Sequence, residues 1–373
     1  MALGIVGLAG IHQYVHDLEE SRRFYVDGLG FDEIGRSSGQ LERAGRQRSL
    51  VFRCGDVVVT CSAPLGTGGR AWRYLSRHPE GVGAVAFEVA DVEHAFSRLE
   101  ANGATPISDV LWQRDEHGRI GTFSITTPLG DTTFRFIERR GHRALFPGME
   151  TYDIPRVGAG HVGALHVDHI TANFRTMKPA LLWLEHVLEL KPFWDVEFHT
   201  QQTNAKPHGS GLRSRVMWDP GSGLKLASNE PLRPAFHRSQ IELFCDDNRG
   251  DGVQHVALAV SDIKSAVRRL KQRGVQLMPP LPGYREQLAR HLPGAVTDAA
   301  ELLELGILVD AGTLPEQYLL QIFLKEAALQ HGRTDAGPFF FELIQRHGAA
   351  GFGEGNFKAL FDGIATQQVA RVG

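Results

Sequence analysis

Residues 81–107, GVGAVAFEVADVEHAFSRLEANGATPI, and residues 252–278, GVQHVALAVSDIKSAVRRLKQRGVQLM, are one segment written twice. A repeat of this length constrains the fold strongly, because two copies of a strand-helix unit must bury equivalent faces. In each copy an apolar strand runs into an Asp, Asp91 or Asp262, placed where its carboxylate can cap a helix. The helices carry apolar residues a turn apart, Val92, Phe96 and Leu99 or Ile263, Val267 and Leu270, and Gly103 and Gly274 end them. Two further pairs keep the order. GIHQYVHDLEESRRFYVDGLGF (10–31) aligns with HITANFRTMKPALLWLEHVLELKPF (169–193), and TTFRFIERRG (132–141) with PFFFELIQRHG (338–348). Each half reads strand, helix, strands, strand, helix, strand, so an α+β chain of two tandem modules is expected.

The length of 373 residues suits two domains. FPGMETYDIPRVGAG (146–160), rich in Gly and Pro and without periodicity, reads as the linker between a domain at 1–145 and a second at 161–373. Beyond Gly355, the residues Phe357, Leu360, Phe361 and Ile364 share one helical face, which predicts a C-terminal lid helix from about residue 355. A net charge of -3 leaves no large basic field, so nucleic acid and acidic membrane surfaces are poor partners and a small molecule is favoured. Cys54, Cys61 and Cys245 show no C-x-x-C spacing, which argues against a disulfide framework or a thiolate zinc site. With no targeting or membrane-spanning pattern, a cytoplasmic location is expected.

Strand positions that face a core are apolar by default, and the second half breaks that rule where the first does not. His255 stands opposite Ala84 in the alignment, His169 opposite Gly10, and Glu342 opposite Arg135. Singly, each has a plainer reading: a packed histidine, or a Glu342 paired with nearby Arg346. Their joint appearance in one half favours a metal site. Two imidazoles and a carboxylate form a facial ligand set that leaves part of a metal's coordination sphere open, although the set does not choose the metal. By the same comparison the N-terminal cup is expected to hold no metal.

The doubled module resembles the vicinal oxygen chelate superfamily, whose βαβββ units pair into an open, cup-shaped sheet. The second half carries SNEP (228–231), RSQIELF (238–244), GVQHVAL (252–258), LGILVD (305–310), LLQIF (319–323), FFFELIQR (339–346) and GFGEGNFKALF (351–361). Together these resemble the 4-hydroxyphenylpyruvate dioxygenase family. The resemblance implies Fe(II) on His169, His255 and Glu342, with 4-hydroxyphenylpyruvate and O2 converted to homogentisate and CO2 in tyrosine and phenylalanine catabolism. It also implies substrate contacts from Ser214, Asn229, Gln240 and Gln321, a ring held between Phe323 and Phe357, a pocket wall at Phe340 and a lid seated by Asn356. Of these, Gln240, Gln321, Phe323 and Phe357 are implied nearest the reaction. Gln254 also matches a pocket position, although strict alternation turns it from the face His255 uses. Ala227 and Leu324 depart from the family's usual proline and small hydroxyl residue. A homo-oligomer, dimer or tetramer, is expected. The alternatives are a hydroxymandelate synthase, which tends to lack Asn229 and an aromatic at Phe357, an extradiol dioxygenase, and a metal-free binding module.

Overall fold

The structure, a computed structural model, describes residues 3–115, 118–141, 146–203, 206–233, 239–280, 284, 288, 296–311, 314, 316–349 and 351–353. The first half contributes β1 (Ile5–Tyr14), β2 (Asp32–Ser37), β3 (Gln47–Cys54), β4 (Val57–Pro64), β5 (Gly81–Val89), β6 (Leu111–Asp115), β7 (Gly118–Ile125), β8 (Thr133–Arg140) and β9 (Met149–Arg156). The second contributes β10 (Ala164–Asn173), β11 (Lys191–Thr203), β12 (Lys206–Trp218), β13 (Lys225–Leu232), β14 (Gly252–Val260), β15 (Leu308–Ala311), β16 (Tyr318–Phe323) and β17 (Phe340–His347). The first sheet runs β6-β7-β8-β5-β1-β4-β3-β2-β9 and the second β11-β12-β13-β10-β14-β17-β16-β15. Read from the other end, the second order repeats the first strand for strand, with β9 as the extra edge. That edge strand, paired with β2, lies inside the segment read as the linker between the domains. Its side chains are mostly exposed, so it carries none of the apolar alternation by which a strand is read from sequence.

The duplicated strand-helix units form as expected. Asp91 Oδ1 accepts from His94 N at 2.9 Å at the start of the helix Val92–Ala101, and Asp262 Oδ1 accepts from Ser265 N at 3.0 Å ahead of Ile263–Gln272. Each such cap contributes about 1 kcal/mol. The final strand of each module adds a second tie: Glu138 Oε2 accepts from Val92 N and Gln345 Oε1 from Ile263 N, both at 2.9 Å. Gly103 and Gly274 take positive φ of 91° and 74° where the helices stop.

Alternation divides each sheet into two faces. Val85, Phe87, Phe134 and Phe136 of the first sheet and Val256, Leu258, Phe341 and Leu343 of the second enter one continuous apolar core. Burying each such side chain stabilises the fold by roughly 2–3 kcal/mol. The intervening residues line the opposite, cupped faces. Pairing fixes which positions correspond: the row Gly10, Ala86, Arg135 crosses β1, β5 and β8 as the row His169, Ala257, Glu342 crosses β10, β14 and β17. The register therefore matches the alignment read from the sequence. No helix among the described residues is long and apolar enough to cross a membrane.

Candidate metal centre

His169, His255 and Glu342 meet on the cupped face of the second sheet, from three adjacent central strands. β10 has a register shift between Val167 and His169, a bulge of the kind that re-aims side chains near functional sites. His169 Nε2 lies 3.6 Å and His255 Nε2 3.4 Å from Glu342 Oε2, and one ligand atom from each residue fits within a 4.8 Å span. All three residues are at most 3 % exposed.

Outer partners set the direction of each group. His169 Nδ1 donates to Asp168 Oδ1 at 2.9 Å, and His255 Nδ1 donates to Gln254 Oε1 at 3.0 Å, so each ring, when neutral, presents a bare Nε2 to the centre. Gln321 Nε2 donates to Glu342 Oε1 at 2.7 Å, which leaves Oε2 for the imidazoles. Asp168 is clamped by Arg346 through Nε at 2.7 Å and Nη2 at 2.8 Å, and Arg346 Nη1 reaches the carbonyls of Ala349 and Gly351. Arg346 thus pairs with Asp168, not with Glu342 as its place in the sequence allowed.

The electrostatics follow from burial and from these contacts. Burial pulls His169 down, but the Asp168 and Glu342 carboxylates outweigh it and raise the imidazole to about 8. For His255 burial wins and its value is lowered. Burial would raise Glu342, yet the two imidazoles hold it at about 2. Asp168 is likewise kept well below the usual carboxylate range, against its burial, by Arg346 and His169. A buried carboxylate faced by two imidazole Nε2 atoms, with each Nδ1 tied on the outer side, fits a divalent cation that takes the place of the His169 Nε2 proton, as two nitrogens and one oxygen in a facial set.

The cavity over this cluster is lined by Thr171, Trp194, Ser214, Ala227, Phe323 and Phe352 beside the three residues and Gln321. Ser214 and Asn229 are register partners on β12 and β13, each 1 % exposed. Asn229 Nδ2 donates to Asn173 Oδ1 at 3.0 Å, leaving Asn229 Oδ1 and Asn173 Nδ2 without a partner among the described residues. Gln240 opens the helix Gln240–Asp247, 3 % exposed, its Oε1 also unpartnered among those residues. Phe340 stacks on His255 with centroids 5.0 Å apart, and Phe323 meets Phe340 edge-on at 6.3 Å. Leu324, 1 % exposed, follows Phe323. Asn356, Phe357 and the expected lid helix lie outside the described residues.

Gln254 holds the far side of the His255 ring, consistent with alternation and not with a place in the pocket wall. Sequence reasoning missed Asp168, whose signal was only its place before a suspected ligand. It also missed Phe352, which packs on His169 at 4.8 Å and stacks on Trp194 at 5.5 Å.

The superfamily described as Glyoxalase/Bleomycin resistance protein/Dioxygenase matches residues 7–135 and again 166–299, one match per module. A protein of Dictyostelium discoideum named 4-hydroxyphenylpyruvate dioxygenase is 32 % identical over 371 residues, covering 96 % of this chain and 97 % of the relative. One of the same name from Coccidioides posadasii is 34 % identical, covering 98 % and 94 %. Among solved structures, a mutant of 4-hydroxymandelate synthase from Streptomyces coelicolor superposes with a TM-score of 0.78 at 24 % identity, over 98 % of this chain and 99 % of that one. That likeness bears on the fold alone, whereas the near full-length identity to the first two shows that this chain belongs to the 4-hydroxyphenylpyruvate dioxygenase family.

Proposed function

We propose that this chain catalyses the reaction for which its relatives are named, converting 4-hydroxyphenylpyruvate and O2 to homogentisate and CO2, with Fe(II) held by His169, His255 and Glu342. The observation that carries the reading is the convergence of those three buried side chains in a member of that family. Bound there, Fe(II) supplies coordination positions for an α-keto carboxylate and O2 and the redox chemistry that joins them. The overall reaction balances without a further oxidant: the keto acid loses its carboxyl carbon as CO2, and the product keeps one oxygen atom of O2 in its new carboxylate and the other on the ring.

The protein's own contribution is orientation in a dry cup. Asp168 and Gln254 keep each imidazole proton on Nδ1, and Gln321 fixes the turn of the Glu342 carboxylate. The unpartnered Asn229 Oδ1, Asn173 Nδ2 and Gln240 Oε1 supply polar anchors for a phenol or keto acid, because buried polar atoms are costly to leave unpaired. Phe323 offers a ring face for offset stacking, worth ~0.5–1.5 kcal/mol, enough to bias the substrate's orientation. Phe352 and the segment tied by Arg346 limit water at His169. Asn356 and Phe357 would complete the enclosure from the C-terminal segment, and a dimer or tetramer remains part of the proposal.

Oxygen uptake by the Fe(II)-loaded chain with 4-hydroxyphenylpyruvate, followed by chromatography, tests this directly. Homogentisate is expected as the main product. 4-Hydroxymandelate instead would overturn the product assignment, and wild-type iron content in His255→Ala would overturn the ligand set.

A further inference from the structure

The first cup reverses the charge of the second. Where the row His169, Ala257, Glu342 ends in a carboxylate, the equivalent row Gly10, Ala86, Arg135 ends in a guanidinium on the same cupped face. Arg135 lies over the Phe146 ring at 4.4 Å, and among the described residues its side chain has one weak hydrogen bond, from Nε to Ser124 Oγ at 3.5 Å. Arg70 is a like charge acting on it, and among the described residues no carboxylate pairs with it. The nearby Asp131 carboxylate is taken by Arg77 and His78. Arg70 sits over the Tyr14 ring at 5.7 Å and binds the backbone carbonyl of Asp131.

The remaining lining is polar, aromatic and incompletely paired. His12, 4 % exposed, bonds Ser62 Oγ through Nε2 at 2.6 Å, and Ser62 Oγ lies 2.6 Å from Ser49 Oγ. His12 Nδ1, Thr60 Oγ1 and Thr122 Oγ1 are buried without a partner among the described residues, and Thr60 is wholly buried directly opposite His12 in the sheet. Rings pack on the same face, with His12 and Tyr14 4.9 Å apart and His12 and Phe146 stacked at 6.3 Å. A half-buried cation with no carboxylate paired to it among the described residues is costly, and several unspent buried donors and acceptors on one face add to the cost. A ligand that brings the missing charge offsets both.

We propose that the first cup binds a small organic monocarboxylate with a flat apolar remainder. Its carboxylate meets the Arg135 fork, while His12, Tyr14 and Phe146 hold the remainder. A guanidinium matches the two oxygens of a carboxylate in one plane, which a metal cation or a bare hydroxyl does not exploit. Burial, together with Arg135 and Arg70, keeps His12 below its usual pKa and so uncharged at neutral pH, which suits one negative charge better than two.

Calorimetric titration of the full-length chain with benzoate, with and without bound metal, tests the site, with acetate and inorganic phosphate as comparison arms. The expected result is one benzoate per chain, retained in His255→Ala and weakened about tenfold or more in Arg135→Met. Arg135→Lys keeps the charge but loses the fork, and is expected to bind at an intermediate level. Arg135→Met without ligand should unfold at the wild-type temperature or above it, since it removes a half-buried charge that no carboxylate pairs with among the described residues. The proposal fails if wild type shows no saturable benzoate binding, if Arg135→Met binds as wild type does, if binding disappears in His255→Ala, or if phosphate binds more tightly than benzoate.

Discussion

Asp168→Asn separates what holds the fold from what holds the metal. The wild-type carboxylate accepts two hydrogen bonds from Arg346 and one from His169. In the variant the Arg346 side chain, 20 % exposed, faces an amide with no counter-charge. Breaking a buried pair on one side costs about 3–5 kcal/mol, and partial exposure puts this case near the lower end. The His169 ring loses the carboxylate that fixed its tautomer and raised its basicity, a change worth about 10–100-fold in metal affinity, or roughly 1.4–2.7 kcal/mol. Denaturant unfolding of the metal-free chain reads the first effect, and competition of a chelator for bound metal reads the second. Adding Arg346→Met to Asp168→Asn removes the stranded charge, so the double variant should regain most of the stability while its metal affinity stays low. Wild-type affinity in the single variant, or recovery of affinity together with stability in the double, would refute the assignment of Asp168 as the residue that positions His169.

Other outcomes follow from the same geometry. In the metal-free chain His169 titrates near 8 against about 6.5 when unfolded, so its contribution of roughly 1–2 kcal/mol is complete below about pH 6.5 and is lost as pH rises through 8. Denaturant midpoints at about pH 6 and about pH 9 should show that fall, whereas metal affinity should rise over the same interval because the metal takes the deprotonated ring. Asn229→Leu leaves Asn173 unpaired in the cup and removes a polar anchor; a stability loss of ~1–3 kcal/mol and a ~10–100-fold drop in kcat/KM are expected, and unchanged steady-state kinetics would count against the anchor. Gly83→Ala would set a Cβ 2.3 Å from the buried Tyr14 ring, and should cost about 1–3 kcal/mol by thermal unfolding while leaving metal content unchanged.

Much of this protein is legible in its sequence because the signals are local or repeated. The apolar runs GVGAVAFEV and GVQHVALAV mark two strands, Asp91 and Asp262 mark helix starts by capping chemistry, and Gly103 and Gly274 mark their ends. The repeat also supplies an internal control, so that His169, His255 and Glu342 stand out against Gly10, Ala84 and Arg135 without any second protein. β9 escaped because an exposed edge strand has no buried face to impose a period on its residues. The partner of Arg346 was not legible, because nearness in sequence is a poor guide on a strand, where a neighbour four residues away is about 13 Å along the chain.

The sequence by itself determined the duplication, the α+β class, the faces of the helices and the three residue types that suit a metal. Only the tertiary structure decided what those residues could do together. Cross-strand register and the bulge before His169 bring two Nε2 atoms within 4 Å of one carboxylate oxygen. The same packing sets the partners behind them, Asp168 with Arg346 and Gln254 with His255, and collects Arg135, His12, Thr60 and Thr122 in the first cup. These are long-range contacts between side chains whose identities vary independently along the chain. Their energies depend on distances that no periodicity encodes, so the chemistry of both cups becomes readable only when the strands are laid side by side.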